Sequence, residues 1–413
     1  MTFPEMTMRW RGFASLVAVA ASAMLITGCG GGSASAPAAS AGAPLVVTQP
    51  PTLTNSQALV VEVGPANGVN QLYTTVTICA PGSSTACATV DHVLVDTGST
   101  GLRLFASTLP ANLGLAAPAG VGGALHECIQ FADGYSWGAI KSADIRLGGD
   151  TVRATPIHIL GDASLPPVPA SCSSSGPAEN TVQAFGSNGV LGISNFAQDC
   201  GSACEQTAMT GSYYRCSGNV CTATSVATTL QMQHPVSLLA KDNNGVLLQL
   251  PAVGSEGAVS LAGSMIFGIG TQTNNGLGSA RTFTVSATDG TLPINIGGTS
   301  YGASFLDSGS NAYFFPSSTT VCSSGFYCPP STQSVSAVVQ GRNGTSAAIG
   351  FNFANADNQF KTHPDFAVLP LLAGAPFGNA AVDLGLPFFY GRNVFTAIEG
   401  RTTPGGTGPF IAF

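Results

Sequence analysis

The chain has 413 residues and a net charge of −7, and only 8% of its residues are charged. That length allows two domains of ordinary size with a large buried core. Because the charge is acidic and no Lys/Arg cluster is present, we expect no nucleic acid partner.

The N-terminal segment predicts export. Two arginines precede the apolar stretch 13–26, which is too short for a comfortable membrane span. Small residues then lead to Cys29, so the segment resembles a bacterial lipoprotein signal in which Cys29 is lipidated and becomes the mature N-terminus. An ordinary cleaved signal with an incidental Cys is the alternative. We expect a signal peptide over 1–28, a flexible tether over 29–50, and a chain held on the cell envelope by its lipid alone, on the outer membrane if the organism has one.

The other ten of the eleven cysteines predict disulfide bonds, because an even count in an exported chain favours pairing. Cys79 with Cys87 and Cys322 with Cys328 are the most local candidates. Cys128 and Cys172 could close a longer loop. Four others form a compact group that lacks the Cys-x-x-Cys spacing of structural zinc sites, which favours disulfides over zinc. This group is Cys200, Cys204, Cys216 and Cys221.

Short apolar runs broken by Gly, Pro and Asn favour an all-β architecture with few short helices. Runs rich in strand formers occupy 59–63 and 72–78. We predict a surface insertion over 195–233, an Ω-like loop held by its own disulfides near the cleft. One short helix is predicted in this half of the chain, over 234–240.

The second half continues with predicted strands. Residues 282–285 and 292–296 carry strand formers. The apolar end of the chain, 409–413, would expose apolar side chains to water if it were unpaired, so we expect it to complete a sheet strand.

A repeated motif organises these elements. Residues 93–102 run from an apolar strand into Asp96, a small hydroxyl residue, Gly and a second hydroxyl residue, and residues 303–312 repeat the pattern at Asp307. One Asp-Thr-Gly turn is a common loop. Two copies, one domain length apart, predict two lobes that each contribute one carboxylate to a shared cleft.

Such a pair suits hydrolysis. Two carboxylates about 3 Å apart cannot both ionise, so they hold one proton between them. One acts as a base toward a water molecule while the other protonates the attacked carbonyl, without a metal or a covalent intermediate. Small and hydroxyl residues beside each Asp would support the pair through backbone N–H groups and hydroxyl hydrogen bonds. They are Thr97, Gly98, Ser99, Ser308, Gly309 and Ser310.

On these motifs the chain resembles the two-lobed pepsin-like aspartic proteases, and also a bacterial lipoprotein family with the same pattern. Residues 188–193 resemble the segment that threads behind the first Asp of those enzymes, and 384–398 resemble its counterpart. Residues 264–268 resemble the strand that passes between lobes. The resemblance implies bilobal β-barrels with a cleft between them, an N-terminal lobe over 51–262 and a C-terminal lobe over 263–413.

Residues 130–139 resemble the flap hairpin that closes over the substrate. The resemblance places Phe131, Asp133, Gly134 and Tyr135 in the flap, where they would meet the substrate. Phe131 stands where the family has a Tyr, and Arg103 stands where many members have the Trp that bonds that Tyr. Tyr135 or Trp137 could fill the space instead, or simply pack.

Two functions follow from these residues. The first is an exported, lipid-anchored aspartic endopeptidase that acts as a monomer on peptides or proteins, with no cofactor. The second is a catalytically weak or inactive surface lipoprotein that keeps the cleft for binding. The scattered histidines and the lack of a Gly-x-Ser-x-Gly elbow argue against metal and serine hydrolase chemistry.

Overall fold

The computed structural model describes residues 54–120, 123–376 and 381–413. Within these ranges the chain is mostly strand with a few short helices, which confirms the all-β prediction. The predicted signal peptide, the lipidation site Cys29 and the tether lie outside the described residues. No helix in the described ranges has the length and apolarity needed to cross a membrane.

The strands, numbered in chain order, are β1 (Ser56–Val61), β2 (Leu72–Cys79), β3 (Cys87–Asp96), β4 (Thr100–Phe105), β5 (Ala124–Gln130), β6 (Tyr135–Leu147), β7 (Asp150–Leu160), β8 (Gly189–Ile193), β9 (Tyr213–Ser217), β10 (Val220–Ala223), β11 (Gly245–Gln249), β12 (Leu261–Phe267), β13 (Thr282–Thr284), β14 (Leu292–Ile296), β15 (Thr299–Leu306), β16 (Tyr313–Phe314), β17 (Gln333–Gln340), β18 (Ser346–Phe353), β19 (Ala373–Gly374), β20 (Asp383–Leu384), β21 (Asn393–Ala397), β22 (Thr402–Thr403), β23 (Gly406–Thr407) and β24 (Phe410–Ala412). The α-helices are α1 (Ala170–Ser173), α2 (Val182–Phe185), α3 (Ser202–Gln206) and α4 (Ala356–Thr362). Single 3-10 turns cover Ala106–Thr108, Thr228–Leu230, Pro235–Leu238 and Leu386–Phe389.

A closed barrel forms in the first half of the chain. Its strands follow the order β2, β3, β8, β4, β7 and β6, and the ring closes because β6 also pairs with β2. Side chains alternate along each strand, so one set fills the interior; on β2 that set includes Leu72, Val76 and Ile78. The barrel holds β3 and β8 rigidly side by side.

The same sheet runs on from the barrel into the second half. From β2 it continues through β1, β12, β11, β21 and β24 to β13. Strand β12 crosses the predicted lobe boundary between 262 and 263 and pairs with both β1 and β11. Strand β24 pairs with β13 and β21, which confirms that the apolar end of the chain completes a sheet.

A second sheet belongs to residues 292–384. Its strands follow the order β18, β17, β14, β15, β20, β16 and β19. Strand β14 matches the predicted strand over 292–296. The sheet is packed by buried aromatic rings, among which Phe315 meets Tyr327, Phe351 and Phe353 edge to face with ring centroids 5.3 to 5.5 Å apart.

Two predictions about the first half are wrong. The insertion 195–233 is not an Ω-like loop, because it contains α3 and the hairpin β9–β10, and β9 extends the sheet by pairing with β5. The predicted helix over 234–240 is only a 3-10 turn at Pro235–Leu238, and α1, α2 and α3 lie in the same half. Helices of four or five residues are too short to show a helical period in sequence.

The disulfide prediction is confirmed. Five bonds join the ten cysteines of the described chain. The compact group pairs internally, so it holds no zinc thiolates. Five disulfides indicate an oxidising location outside the cytoplasm. The bonds are Cys79–Cys87, Cys128–Cys172, Cys200–Cys204, Cys216–Cys221 and Cys322–Cys328.

Candidate active site

The two Asp turns occupy equivalent places in the two sheets. Strand β3 ends at Asp96 and lies parallel to β8, with Asp96 opposite Gly192. Strand β15 ends just before Asp307 and lies parallel to β20. Each carboxylate thus leaves the end of a strand supported by a parallel neighbour, and the two ends meet.

Reciprocal hydrogen bonds join the two turns. The backbone N–H of Thr97 donates to Ser308 Oγ over 3.1 Å, and the backbone N–H of Ser308 donates to Thr97 Oγ1 over 2.9 Å. Each hydroxyl in turn donates across the junction, Thr97 Oγ1 to the carbonyl of Leu306 and Ser308 Oγ to the carbonyl of Val95. Because both hydroxyl residues are buried, these bonds are shielded from water and fix the turns relative to each other.

The same pattern of donors surrounds both carboxylates. Asp96 Oδ1 accepts from the N–H of Gly98 over 2.6 Å, and Asp307 Oδ1 accepts from the N–H of Gly309 over 2.8 Å. The outer oxygens accept from hydroxyls, Asp96 Oδ2 from Ser99 and Asp307 Oδ2 from Ser310. All the residues predicted to support the pair therefore contact it or the junction beneath it.

The carboxylates lie close together, with the two glycines against them. A Cβ on Gly98 would be 3.1 Å from both Asp96 Oδ1 and Asp307 Oδ1, so these oxygens are no farther apart than the sum of the two distances. A Cβ on Gly309 would be 2.8 Å from Asp96 Oδ1. Burial, and then the negative charges of Asp96 and Asp383, raise the pKa of Asp307 well above its usual value. Burial and these charges therefore favour the protonated form of Asp307.

A cavity of about 250 Å³ opens over the pair and is lined by both carboxylates. Its walls combine aromatic and other apolar side chains with polar ones, as in ligand sites generally. Besides the pair, the lining residues are Gln71, Leu94, Phe131, Ala132, Asp133, Glu179, Phe185, Gly309, Ser310, Asn311, Phe314 and Phe326.

The predicted flap is the hairpin β5–β6, whose turn is closed by a 2.8 Å bond from the N–H of Phe131 to the carbonyl of Gly134. Phe131 and Asp133 line the cavity, and the Phe131 ring packs edge to face on Phe185. Tyr135 does not line it; its side chain, 7% exposed, packs beside Trp137 and the Cys128–Cys172 bond. Gly134 allows close approach of a neighbouring segment, because a Cβ there would be 2.6 Å from a carbonyl oxygen.

Glu179 is a cavity residue that sequence reasoning missed. Its carboxyl lies with that of Asp133 at the flap tip. Burial and the neighbouring Asp133 raise the pKa of Glu179 to about 8. No motif surrounds Glu179, and hydrogen bonds between its segment and the flap strand β6, at Tyr135 and Ser136, bring it there.

Arg103, which stands where many of the resembled enzymes have a Trp, takes part in a buried network that the sequence did not predict. It is fully buried and donates to Glu127 Oε1 of the flap strand β5 over 2.6 Å. His158 is on β7, the strand that pairs with β4 of Arg103, and its side chain lies 3.0 Å from Glu127 Oε2. Asp199 of the insertion lies 3.8 Å from Arg103. This network joins the strand after the first Asp turn to the flap and to the insertion.

Within this network the charges of Arg103 and Glu127 stabilise each other. Burial alone would raise the pKa of Glu127, but the opposing charges of Arg103 and His158 outweigh it and lower the pKa to about 2. The only signal in sequence was an Arg on an otherwise apolar strand, which predicts a buried partner without saying which acid supplies it.

The described residues include one group of potential metal ligands, Cys322, Cys328 and Asp357. Its two cysteines form a disulfide, so their sulfurs are not available as thiolate ligands.

Comparison with protein families assigns the chain. It belongs to the family described as "Protein of unknown function (DUF3443)", which matches residues 51–413. No curated protein matches the chain.

Proposed function

We propose that this protein is an exported, lipid-anchored aspartic endopeptidase of pepsin-like architecture. The observation that carries the proposal is the pairing of Asp96 and Asp307 at the floor of a cavity, under two equivalent sets of hydrogen bonds. Both carboxylates come from one chain, so a monomer is sufficient for activity. We assign the role of acid to Asp307, whose pKa is raised, and the role of base to Asp96.

The chemistry needs only these two side chains and water. Asp96 takes a proton from a water molecule as its oxygen attacks the carbonyl carbon of the peptide, and Asp307 gives its proton to the carbonyl oxygen. The nitrogen of the tetrahedral intermediate then takes the proton from Asp96, the C–N bond breaks, and a hydroxyl proton of the intermediate passes to Asp307 as the carbonyl re-forms. The Gly98 and Gly309 N–H groups hold the carboxylates in place throughout.

The fold supports a pepsin-like comparison beyond the dyad. Each Asp strand has a parallel neighbour at the predicted segment, a β-hairpin covers the cavity, and a long strand passes between the halves of the chain. The aromatic lining, which includes Phe131, Phe185 and Phe314, favours a peptide with apolar side chains near the cut bond.

The test compares the purified full-length protein with Asp96→Asn and Asp307→Asn on a peptide library between pH 3 and pH 7. We expect cleavage by the wild type and a loss of at least about 10³-fold in each variant, because one carboxyl cannot serve as both acid and base. Asp365→Asn, an exposed acid far along the chain from both turns, is the matched control and should cleave normally. Cleavage that survives both dyad variants would refute the proposal.

Phe131 favours a second candidate, binding without turnover. It offers no hydroxyl at the flap tip, where the resembled enzymes have a Tyr. A peptide mimic with a hydroxyl in place of the attacked carbonyl separates the two functions. Binding of the mimic without cleavage of any library peptide would favour the binding protein.

A further inference from the structure

A third buried carboxyl lies beside the dyad. Asp383 begins β20, where it is paired with Phe305 of β15 on one side and with Phe314 of β16 on the other. Paired residues of adjacent strands share a face of the sheet, and Phe305 shares its face with the residue two positions on, Asp307. Asp383 therefore belongs to the dyad face.

The first half of the chain has no acid at the equivalent position. There Leu94, two residues before Asp96, is paired with Val190 of β8, as Phe305 is with Asp383. Leu94 lines the cavity, so this layer of side chains borders the site in the first half. The two halves match in hydrogen bonding around the dyad. They differ in charge at this position, where the first half has Val190 and the second half has Asp383.

Asp383 has no ion-pair partner in the described chain. The residue is 3% exposed, and neither carboxyl oxygen has a well-formed hydrogen bond. The Ser310 hydroxyl, which donates to Asp307 Oδ2 over 2.8 Å, also interacts with Asp383 and lowers its pKa, but burial outweighs this effect. A buried carboxylate without a cation or donor is unfavourable, so Asp383 is neutral under acidic conditions.

The charged groups that act on Asp383 are the dyad carboxyls themselves. The charge of Asp96 repels the ionised form of Asp383, and the charge of Asp383 in turn acts on Asp307. Tyr313 and Arg392, on neighbouring elements, interact with each other and not with Asp383. Burial raises the pKa of Asp383 well above its usual value, and Asp96 raises it further.

From this geometry we infer that Asp383 is a positioning residue for the dyad proton, and that the working site is a cluster of three carboxyls holding two protons. Where Asp383 is ionised, its negative charge raises the pKa of Asp307 and so favours the proton on Asp307. The protein would then stay active to a higher pH than a two-carboxyl site allows. This inference rests on the proposed function.

The test is the pH dependence of kcat/KM for the full-length protein and two variants. Asp383→Asn keeps the shape of the side chain, and Asp383→Val installs the residue that the first half uses. We expect the basic limb of the profile to move to lower pH by about one unit in both variants, with the acidic limb in place. The control Asp365→Asn should leave both limbs unmoved, and an unmoved basic limb in both Asp383 variants overturns the inference.

A second measurement depends on neither folding of a variant nor catalysis. Titration of wild-type protein carrying 13C-labelled aspartate carboxyls, with each signal assigned to its residue, should show that Asp307 and Asp383 both keep their protons well above the usual range. Assignment is needed because burial also raises the pKa of Asp199 well above its usual value. An Asp383 signal that titrates in the usual range overturns the three-carboxyl cluster even if the protein cleaves peptides. Raised titration of both residues without cleavage would reject the proposed function and leave the cluster standing.

Discussion

Removing Arg103 should be the most destabilising single change that leaves the cavity residues intact. Arg103 and Glu127 are 0% and 1% exposed, so Arg103→Met leaves a carboxylate buried without its main counter-charge. Breaking such a pair from one side costs about 3–5 kcal/mol. The lowering of the Glu127 pKa from 4.5 to about 2 gives a similar figure, roughly 3 kcal/mol at about 1.4 kcal/mol per unit.

The effect of pH has a definite sign. A carboxyl with a lowered pKa in the folded state contributes its stability fully above the unfolded value, here 4.5, and loses it as pH falls through about 2. In Arg103→Met the carboxyl of Glu127 becomes protonated in acid, which removes the uncompensated charge. The difference between wild type and variant should therefore be large at pH 7 and small near pH 2.

Urea denaturation followed by tryptophan fluorescence at several pH values measures these free energies of unfolding. The double variant Arg103→Met/Glu127→Gln should recover about 2 kcal/mol or more relative to Arg103→Met, because it removes the buried charge of Glu127 and keeps an acceptor near His158. Arg153→Met is the control, since Arg153 is 75% exposed beside Asp144 and should change stability by no more than about 0.5 kcal/mol. A cost for Arg103→Met below about 1 kcal/mol, or one that is equal at pH 7 and pH 2, would refute the reasoning.

Three further predictions follow from other contacts. Because the pKa of Glu179 is raised to about 8 in the folded protein, wild-type stability should fall as pH rises from the unfolded value of 4.5 toward 8; Glu179→Gln should make this fall smaller, although Asp307 and Asp383 still contribute to it, which melting temperatures at pH 5 and pH 8 would reveal, and equal slopes in both proteins would contradict it. Gly134→Ala should cost about 1–3 kcal/mol and raise KM, because its Cβ would meet a carbonyl oxygen at 2.6 Å, whereas Gly254→Ala, with nothing within 4 Å, should be neutral in both assays. Replacing both cysteines of the Cys128–Cys172 pair with Ala should cost about 4 kcal/mol against about 2.5 kcal/mol for the Cys79–Cys87 pair, because it frees a separation of 44 residues rather than 8; the reverse order in urea midpoints would count against the loop-entropy argument.

Much of this fold could be predicted because its signals are local. Strand formers between Gly and Pro gave the all-β class, and an even cysteine count gave five disulfides. The repeated Asp turn identified the two acids and the glycines that lie against them. The hairpin β9–β10 was missed because a strand that pairs with β5, some 90 residues earlier along the chain, leaves little trace in its own composition.

The amino-acid sequence alone determined that Asp96 and Asp307 would lie at strand ends, since the conformation of a turn depends on about four consecutive residues. Only the tertiary structure decided which other acids lie near them. Glu179 and Asp383 are far along the chain from the Asp turns that they approach, and Arg103 meets Glu127 across two strands. A carboxyl's charge state is set by burial and by neighbours in space, and neither of these can be read from the positions of residues along the chain.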